Sequence, residues 1–460
     1  MPAFPTSTAI RDRLIGGAGQ LVNELTGRMP LPFRSMPHAP PGDIFEPRGP
    51  IQRIAANSID RVFSPETRGP QEAREHRPLL AETRIVVPPV SAGEPAPSTR
   101  IGFEATAPGA NWGARDRTSG MVAVYVDGGY HSTVVVHAER TAPYAVALGA
   151  LEPGSHDIEL RAALDAAPMR PLVHDVVATQ VDGSQARLDQ LAPIVELRGP
   201  GAGRIGSISH TDAPLLLIPA LTSRPDGSST VEYRVTFSNE DGGTNPVGLL
   251  AEFGRGVDTE PVLRVDLDPA GRVVEEWYQS PLHVWRRFDG DRVDGRPLVR
   301  VSTANNLVSA RVHEDGGERW SDAPLPAIDG SQSEFRAMRA NPWTWQLMAK
   351  ELLREHKAIP GRLHDGRRMG DPRGYVYLGD VSQASFGALL VSGGADVRLT
   401  DGRVVRARTL PGLLGEDFNE TALELPLGVV GAQVAAVAVP DAESVVLGDD
   451  LLPRFVGIRA

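Results

Sequence analysis

The chain has no cysteine. That absence removes disulfides, thiolate zinc sites, iron–sulfur clusters and thiol nucleophiles together, and with them any reading of the redox compartment. Lysine is almost missing as well: Lys350 and Lys357 are the only two, so arginine carries nearly all the positive charge. It gathers into no cluster, and a formal net charge of −11 argues against nucleic acid or an anionic membrane as partner, because phosphate binding draws on grouped Lys and Arg. Long apolar runs are absent too. Nothing approaches the roughly 18 apolar residues of a spanning helix. The apolar stretch after Arg11 and Arg13 is interrupted by Gly16, Gly17, Gly19, Gln20 and Asn23, which spoils a signal peptide's apolar core. The expectation is a soluble protein with no membrane span and no signal peptide, cytoplasmic by default, with export by another route left open.

What is present fits several domains, since 460 residues exceed the usual limit of one core. Residues 1–99 read as an amphipathic helix and a proline-rich arm. Ile10, Leu14, Leu21, Val22 and Leu25 fall near helical spacing, and MPLPFRSMPHAPPGD and VVPPVSAGEPAPS follow with few regular hydrogen bonds expected. Such an arm packs on its own domain or ties copies of the chain into a homo-oligomer. Residues 100–195 alternate, with turn chemistry at Asp127-Gly128-Gly129 and Pro153-Gly154, and read as an antiparallel β-sandwich. The strand rhythm and the VDGGY turn resemble, over about 60 residues, the jelly-roll modules that accompany carbohydrate-active enzymes. Trp112, Tyr125, Tyr130 and Tyr144 could stack on sugar rings, although aromatic residues in sandwiches more often fill the core.

Residues 196–373 read as a larger antiparallel β-domain, with strands expected at about 213–220, 230–238, 247–253, 260–267, 272–279, 297–303 and 307–313. Asp226-Gly227, Asp268 to Gly271 and Asn305-Asn306 supply turns. One packed helix is expected at 341–357. Ser331 and Glu334 have capping-box spacing, Asn341-Pro342 restarts the helix, Trp345, Met348, Ala349, Leu352 and Leu353 form its stripe, and Pro360-Gly361 stops it. Trp343 and Trp345 are expected as packing anchors. Residues 374–460 form a β-rich carboxyl-terminal segment with a hairpin at Thr400-Asp401-Gly402. The fold class is therefore mostly β.

FSNEDGGTNP, residues 237–246, poses the functional question. Asp-Gly-Gly recurs at 127–129 and 315–317, so the motif alone reads as turn chemistry. Its neighbourhood is more telling. If the strands from 213 to 267 form an up-and-down meander, Ser209, His210, Thr211 and Asp212 lie beside Asn239, Glu240 and Asp241 at one rim. Arg255, Asp258, Glu260 and His283 then fall at the opposite rim, about 23 Å away for a seven-residue strand. Glycoside cleavage needs one carboxylic acid and one carboxylate, and neighbouring like charges keep a proton available near neutral pH. Adjacent residues on a strand face opposite ways, so Asp212 with Glu240 or Asp241 is the preferred catalytic pair, with His210 tuning protonation. Asn239, Arg255, Asp258, Glu260 and His283 are kept as substrate-binding candidates.

No cofactor is required by this chemistry. The same oxygen and nitrogen donors would also suit a divalent metal such as calcium, though no HExxH or EF-hand spacing supports one. Nucleophilic-serine chemistry lacks G-x-S-x-G, and GAGRIGS at 201–207 has no helix behind it to make a dinucleotide loop. The leading expectation is a glycan-active hydrolase. The alternative is a non-enzymatic glycan-binding or assembly protein whose acidic loops are turns or calcium sites.

In this order, SHTDAPLL, FSNEDGGTNP, GRGVDTE and YQSPLHV resemble a group of bacterial β-rich proteins with patterns close to HTD, SNEDGGT, GR-x-x-D-x-E and a later histidine. The resemblance covers about 205–310 and the NPWTWQLMAKEL helix, and brings no activity with it. It implies that both polar groups belong to one domain and serve one site, which conflicts with the meander.

Overall fold

The computed structural model describes residues 70–457 apart from 91–95, 115–116, 138, 168, 198–212, 240–244, 304, 312–316 and 412–418. The helix expected at 8–26 and most of the arm lie outside them. The molecule is mostly β, with antiparallel sheets and few helices. Among the described residues no helix is long and apolar enough to cross a membrane.

The first unit is a two-sheet sandwich. Its strands are β1 (Leu79–Val87), β2 (Ser98–Thr106), β3 (Gly120–Val126), β4 (Gly129–Val136), β5 (Ala142–Gly149), β6 (Gly154–Ala162) and β7 (Leu172–Val181), in orders β1-β6-β3-β4 and β5-β2-β7. Ile101, Phe103, Val122, Val124, Val146 and Leu160 pack between the sheets. Asp127 and Gly128 take positive φ in the β3–β4 hairpin, as an Asp-Gly turn requires. Strand β1 corrects the expectation of an unpaired arm from 28 to 100: it pairs with β6 from Leu79 to Val87. Its segment LLAETRIVV contains no proline, and the prolines that suggested an arm flank it. Trp112 and Tyr125 are buried, as expected of core aromatics.

A helix, α1 (Gly183–Leu191), and β8 (Ile194–Glu196) lead into the central unit. Here β9 (Pro214–Ser223), β10 (Ser229–Phe237), α2 (Pro246–Phe253), β11 (Asp258–Leu267), β12 (Val273–Ser280) and β13 (Val284–Arg287) follow in sequence. A smaller sheet takes β14 (Arg292–Val293), β15 (Arg296–Val301), β16 (Val308–Ser309), β17 (Arg319–Trp320) and β8, while β18 (Ile328–Asp329) joins β9. The central sheet has order β13-β12-β11-β10-β9-β18.

The strand expected at 247–253 is the helix α2. Asn245 caps it by accepting from the amides of Val247 and Gly248 at 3.0 Å each, Pro246 occupies its first turn, and Gly254 ends it in the left-handed region. A short apolar run does not distinguish a buried strand from a buried helix, and here the caps decide.

Two further helices, α3 (Phe335–Ala340) and α4 (Trp343–Arg354), pack beside this sheet. The expected helix at 341–357 is thus α4, shortened at both ends. The expected capping box does not form: the Ser333 hydroxyl accepts from the Phe335 amide, and Ser331 bonds to Asp329. Trp345 is fully buried against Phe335 and Tyr377, while Trp343 stacks on His137 of the sandwich with centroids 4.0 Å apart, so both are packing anchors.

The last unit holds β19 (Tyr375–Gly379), α5 (Gln383–Ser392), β20 (Gly394–Leu399), β21 (Val404–Thr409), β22 (Thr421–Glu424), β23 (Val434–Val437), β24 (Glu443–Leu447) and β25 (Pro453–Val456). They form one seven-stranded sheet with its own core around Val376, Leu378, Phe386 and Leu423. The hairpin at 400–402 joins β20 and β21.

Candidate functional site: a polar rim on the central sheet

Replacing a strand by a helix changes which ends of the strands meet. Strand β10 leaves the sheet after Phe237, α2 carries the chain back, and β11 starts beside that exit, with Asp258 paired to Phe237. The expectation that Arg255, Asp258, Glu260 and His283 lie at the opposite rim from Asn239 is therefore overturned. Strand β12 ends at the same rim, and His283 follows it in a short 3-10 turn with φ of +56°. The start of β9 completes the edge: Ala213 donates its amide to the Ser238 hydroxyl at 3.1 Å. His210, Asp212, Glu240 and Asp241 lie outside the described residues.

A β-bulge decides what faces inward. In the β10–β11 ladder Tyr233 pairs with Leu263 and Arg234 with Pro261, so Val262 is an extra residue in β11. Val262 and Leu263 are consequently both buried. Beyond the bulge the alternation is reset, and Glu260 pairs with Val235 and Asp258 with Phe237. Paired residues share a face, so the two acids continue the face that carries Tyr233, Val235, Phe237, Leu263 and Val265. Strict alternation from Leu263 would have turned both acids to the other face. Bulges of this kind re-aim side chains near functional sites.

Both acids are buried, Asp258 to 6% exposure and Glu260 to 5%. Carboxylates at core positions need partners or a proton. The Asn306 amide donates to Asp258 Oδ2 at 2.8 Å and to the Asn239 carbonyl oxygen at 3.1 Å, joining two strands through one side chain. Asn306 lies in the β15–β16 connection with φ of +54°, a left-handed conformation that asparagine tolerates better than most residues. Burial pushes the Asp258 carboxyl up to about 7, against the pull of the Asn306 hydrogen bond and the Arg255 charge. Glu260 accepts from Asn305 Nδ2 at 3.3 Å, and His283 Nδ1 stands 3.7 Å from its other oxygen. Burial pushes His283 down to about 4, so near neutral pH this imidazole is uncharged.

The other side of the rim is the end of α4. Asn239 Nδ2 donates to Glu355 Oε2 at 2.7 Å, and Lys357 Nζ reaches the same oxygen at 3.2 Å. Arg354 bridges Glu355 to Glu351, and Trp112 of the sandwich donates its indole N–H to Glu351 at 2.7 Å. A polar chain thus runs from the sandwich to the rim. Glu351 and Glu355 were not singled out in the sequence, where the 341–357 segment reads only as a packed helix. The signal was Glu355, an acid where the helix dipole disfavours one.

Of the nine residues singled out from the sequence, five are described, and four of these share this rim. Asn239, Asp258, Glu260 and His283 line it, and Arg255 lies behind it, buried against Glu420 and Glu334. Among the described residues no group of three His, Asp or Glu side chains is placed to hold a metal ion.

No family model matches the chain, and no curated protein does. Among solved structures it is similar to the EclA C-terminal domain, a sugar-binding protein, at 10% identity and a TM-score of 0.17, over 23% of this chain and 69% of that one. That likeness is too slight to bear on the fold or the ligand.

Proposed function

We propose that the chain is a glycan-active hydrolase whose rim supplies the acid–base pair. The observation that supports this reading most is the bulge at Val262, which turns Asp258 and Glu260 onto one buried face. With its carboxyl pushed up to about 7, Asp258 is partly protonated near neutral pH and has the character of a general acid. Glu260, two residues away beside the uncharged His283, is the second carboxylate. Asn239, Asn305 and Asn306 hold Glu355, Glu260 and Asp258 in place through their side-chain amides. Asp212, Glu240 and Asp241 adjoin Ala213 and Asn239 along the chain and remain catalytic candidates.

A second reading has its own support. Asn306 joins Asp258 to the Asn239 backbone as a structural staple would. On that reading the protein binds glycans or assembles without cleaving them, and its acidic loops are turns or calcium sites.

Product release from a panel of polysaccharides and oligosaccharides separates the two. Release by the wild type, lost in folded Asp258→Asn and in the double variant Glu240→Gln with Asp241→Asn, supports the hydrolase. Binding of some glycans with no release from any of them favours the second reading.

A further inference from the structure

Helix α5 of the last unit carries no charged residue. It packs inward through Ser385, Phe386 and Leu389, and the Ser385 hydroxyl donates to the Pro440 carbonyl oxygen at 2.8 Å. Its other side is as apolar and is exposed. Ala384, Gly387, Ala388 and Val391 recur there at i, i+3, i+4 and i+7, with Val391 93% exposed and Leu390 beside it 41% exposed. A Cβ built on Gly387 would meet nothing within 4 Å. A helix apolar on every side is ordinarily buried, and a contiguous exposed apolar patch marks a contact surface.

The amino-terminal segment has the complementary need. Ile10, Leu14, Leu21, Val22 and Leu25 fall near helical spacing, with Ala18 one turn after Leu14 on the same stripe. Gly16, Gly17 and Gly19 lie within that segment, and each weakens an isolated helix, so the stripe depends on a surface to pack against. Gly17 and Ala18 are small at its centre, as Ala384, Gly387 and Ala388 are on α5, which lets two helix backbones approach closely. The lengths agree as well: at 1.5 Å per residue, Ile10 to Leu21 covers about 16 Å and the ten residues of α5 about 15 Å.

We propose that the exposed face of α5 is the docking surface for segment 8–26 of the same chain, which forms its helix there. The length of chain outside the described residues favours the same chain over a second copy. The first described residue is Pro70, whose carbonyl oxygen accepts from the Tyr125 hydroxyl at 2.7 Å. Residues 27–69 reach at most about 140 Å when extended, against a radius of gyration of roughly 23 Å for a globule of 460 residues, so α5 is within their span. Such a tether also holds the segment near α5 at a local concentration above that of another copy in dilute solution. The proposal is independent of the rim and stands with or without glycan cleavage.

The test uses the full chain, which has no native cysteine to interfere. Ala18 and Ala388 are central on the two faces, so their approach does not depend on which way the segment runs. Under a copper–phenanthroline oxidant, Ala18→Cys with Ala388→Cys should form a disulfide at monomer mass at least about 10-fold faster than Ala18→Cys with Asp401→Cys. Asp401 is the control because it lies on an exposed turn of the same unit. Adding Leu14→Asp and Val391→Asp should remove the difference, and the exposure of Val391 leaves the fold of the unit intact. Equal rates for the two pairs overturn the proposal, as does a fast disulfide that survives the two added aspartates. A disulfide at dimer mass, from the Ala18 and Ala388 pair or from Ala388→Cys alone, also overturns it and gives the face to a second copy.

Discussion

The aspartates of the hairpin turns and the acids of the rim are the same chemistry in opposite settings. Asp268 and Asp401 sit on exposed turns, where backbone and arginine hydrogen bonds hold their carboxyls below the ordinary range. Asp226 is held down by the Ser228 hydroxyl and amide. Asp258 is driven the other way, up to about 7, because it occupies a core position. A turn carboxylate is stabilised as an anion by donors it meets locally. A rim carboxyl is kept near its proton by the walls around it. Acidic loops therefore say little about chemistry until the facing of each side chain is known.

The sharpest way to break this contrast is to neutralise each class. Asp258→Asn should cut product release by at least about 10²-fold, as removal of a general acid does. Glu260→Gln should do the same, with circular dichroism unchanged in both.

Burial also predicts a pH dependence of stability. Glu252 in α2 is buried, and burial alone pushes its carboxyl up to about 8 from 4.5. Below the unfolded value both states are protonated, so this group then imposes no penalty. Between about 4.5 and 8 only the unfolded chain ionises, and stability falls as pH rises, on the order of a few kcal/mol in total. Asp258 and Asp322 contribute in the same direction. Buried His131 and half-buried His137 and His283, held below their ordinary range, act the other way below about pH 6.5, so melting temperature should decline from about pH 6.5 to pH 8, and Glu252→Gln should make the decline visibly shallower.

A smaller effect is expected at Asn306. Asn306→Gly permits the positive φ while removing the amide, which should destabilise by about 1–3 kcal/mol through the unpaired Asn239 carbonyl. It should also raise the Asp258 midpoint, since the lost hydrogen bond favoured the charged form. The smallest effect belongs to the turns: Asp268→Asn and Asp401→Asn should leave product release unchanged and shift melting less than any rim variant. A large loss of release from either would dissolve the contrast.

Local chemistry explains what could be read in advance. The hairpins at Asp127-Gly128, Asp226-Gly227, Asp268 to Gly271 and Thr400 to Gly402 depend on residues that tolerate positive φ, and such turns announce themselves. The stripe of α4 did so through its helical spacing. The run at 247–253 was misread as a strand although Asn245-Pro246 carries the same signature that was used at Asn341-Pro342. With a helix in place of that strand, Arg255, Asp258, Glu260 and His283 lie on the same side as Asn239. The resemblance of the GRGVDTE and FSNEDGGTNP segments to one bacterial group had implied a single site, and the described part of both lies at one edge. The bulge was not legible, because register is a property of paired strands and not of one strand. The roles of Glu334, Glu351, Glu355 and Glu420 were not legible because each meets a partner far away in sequence: Arg234, Trp112, Asn239 and Arg255.

Val262 gives the strand a phase. On one side of it, odd and even positions mean core and exterior; on the other the two meanings are exchanged, while the order of residues stays as it was. A chain one residue shorter at this point would retain Asp258 and Glu260 and turn both away from the core face. The chemistry of this edge is thus set by a count of residues as much as by their identity.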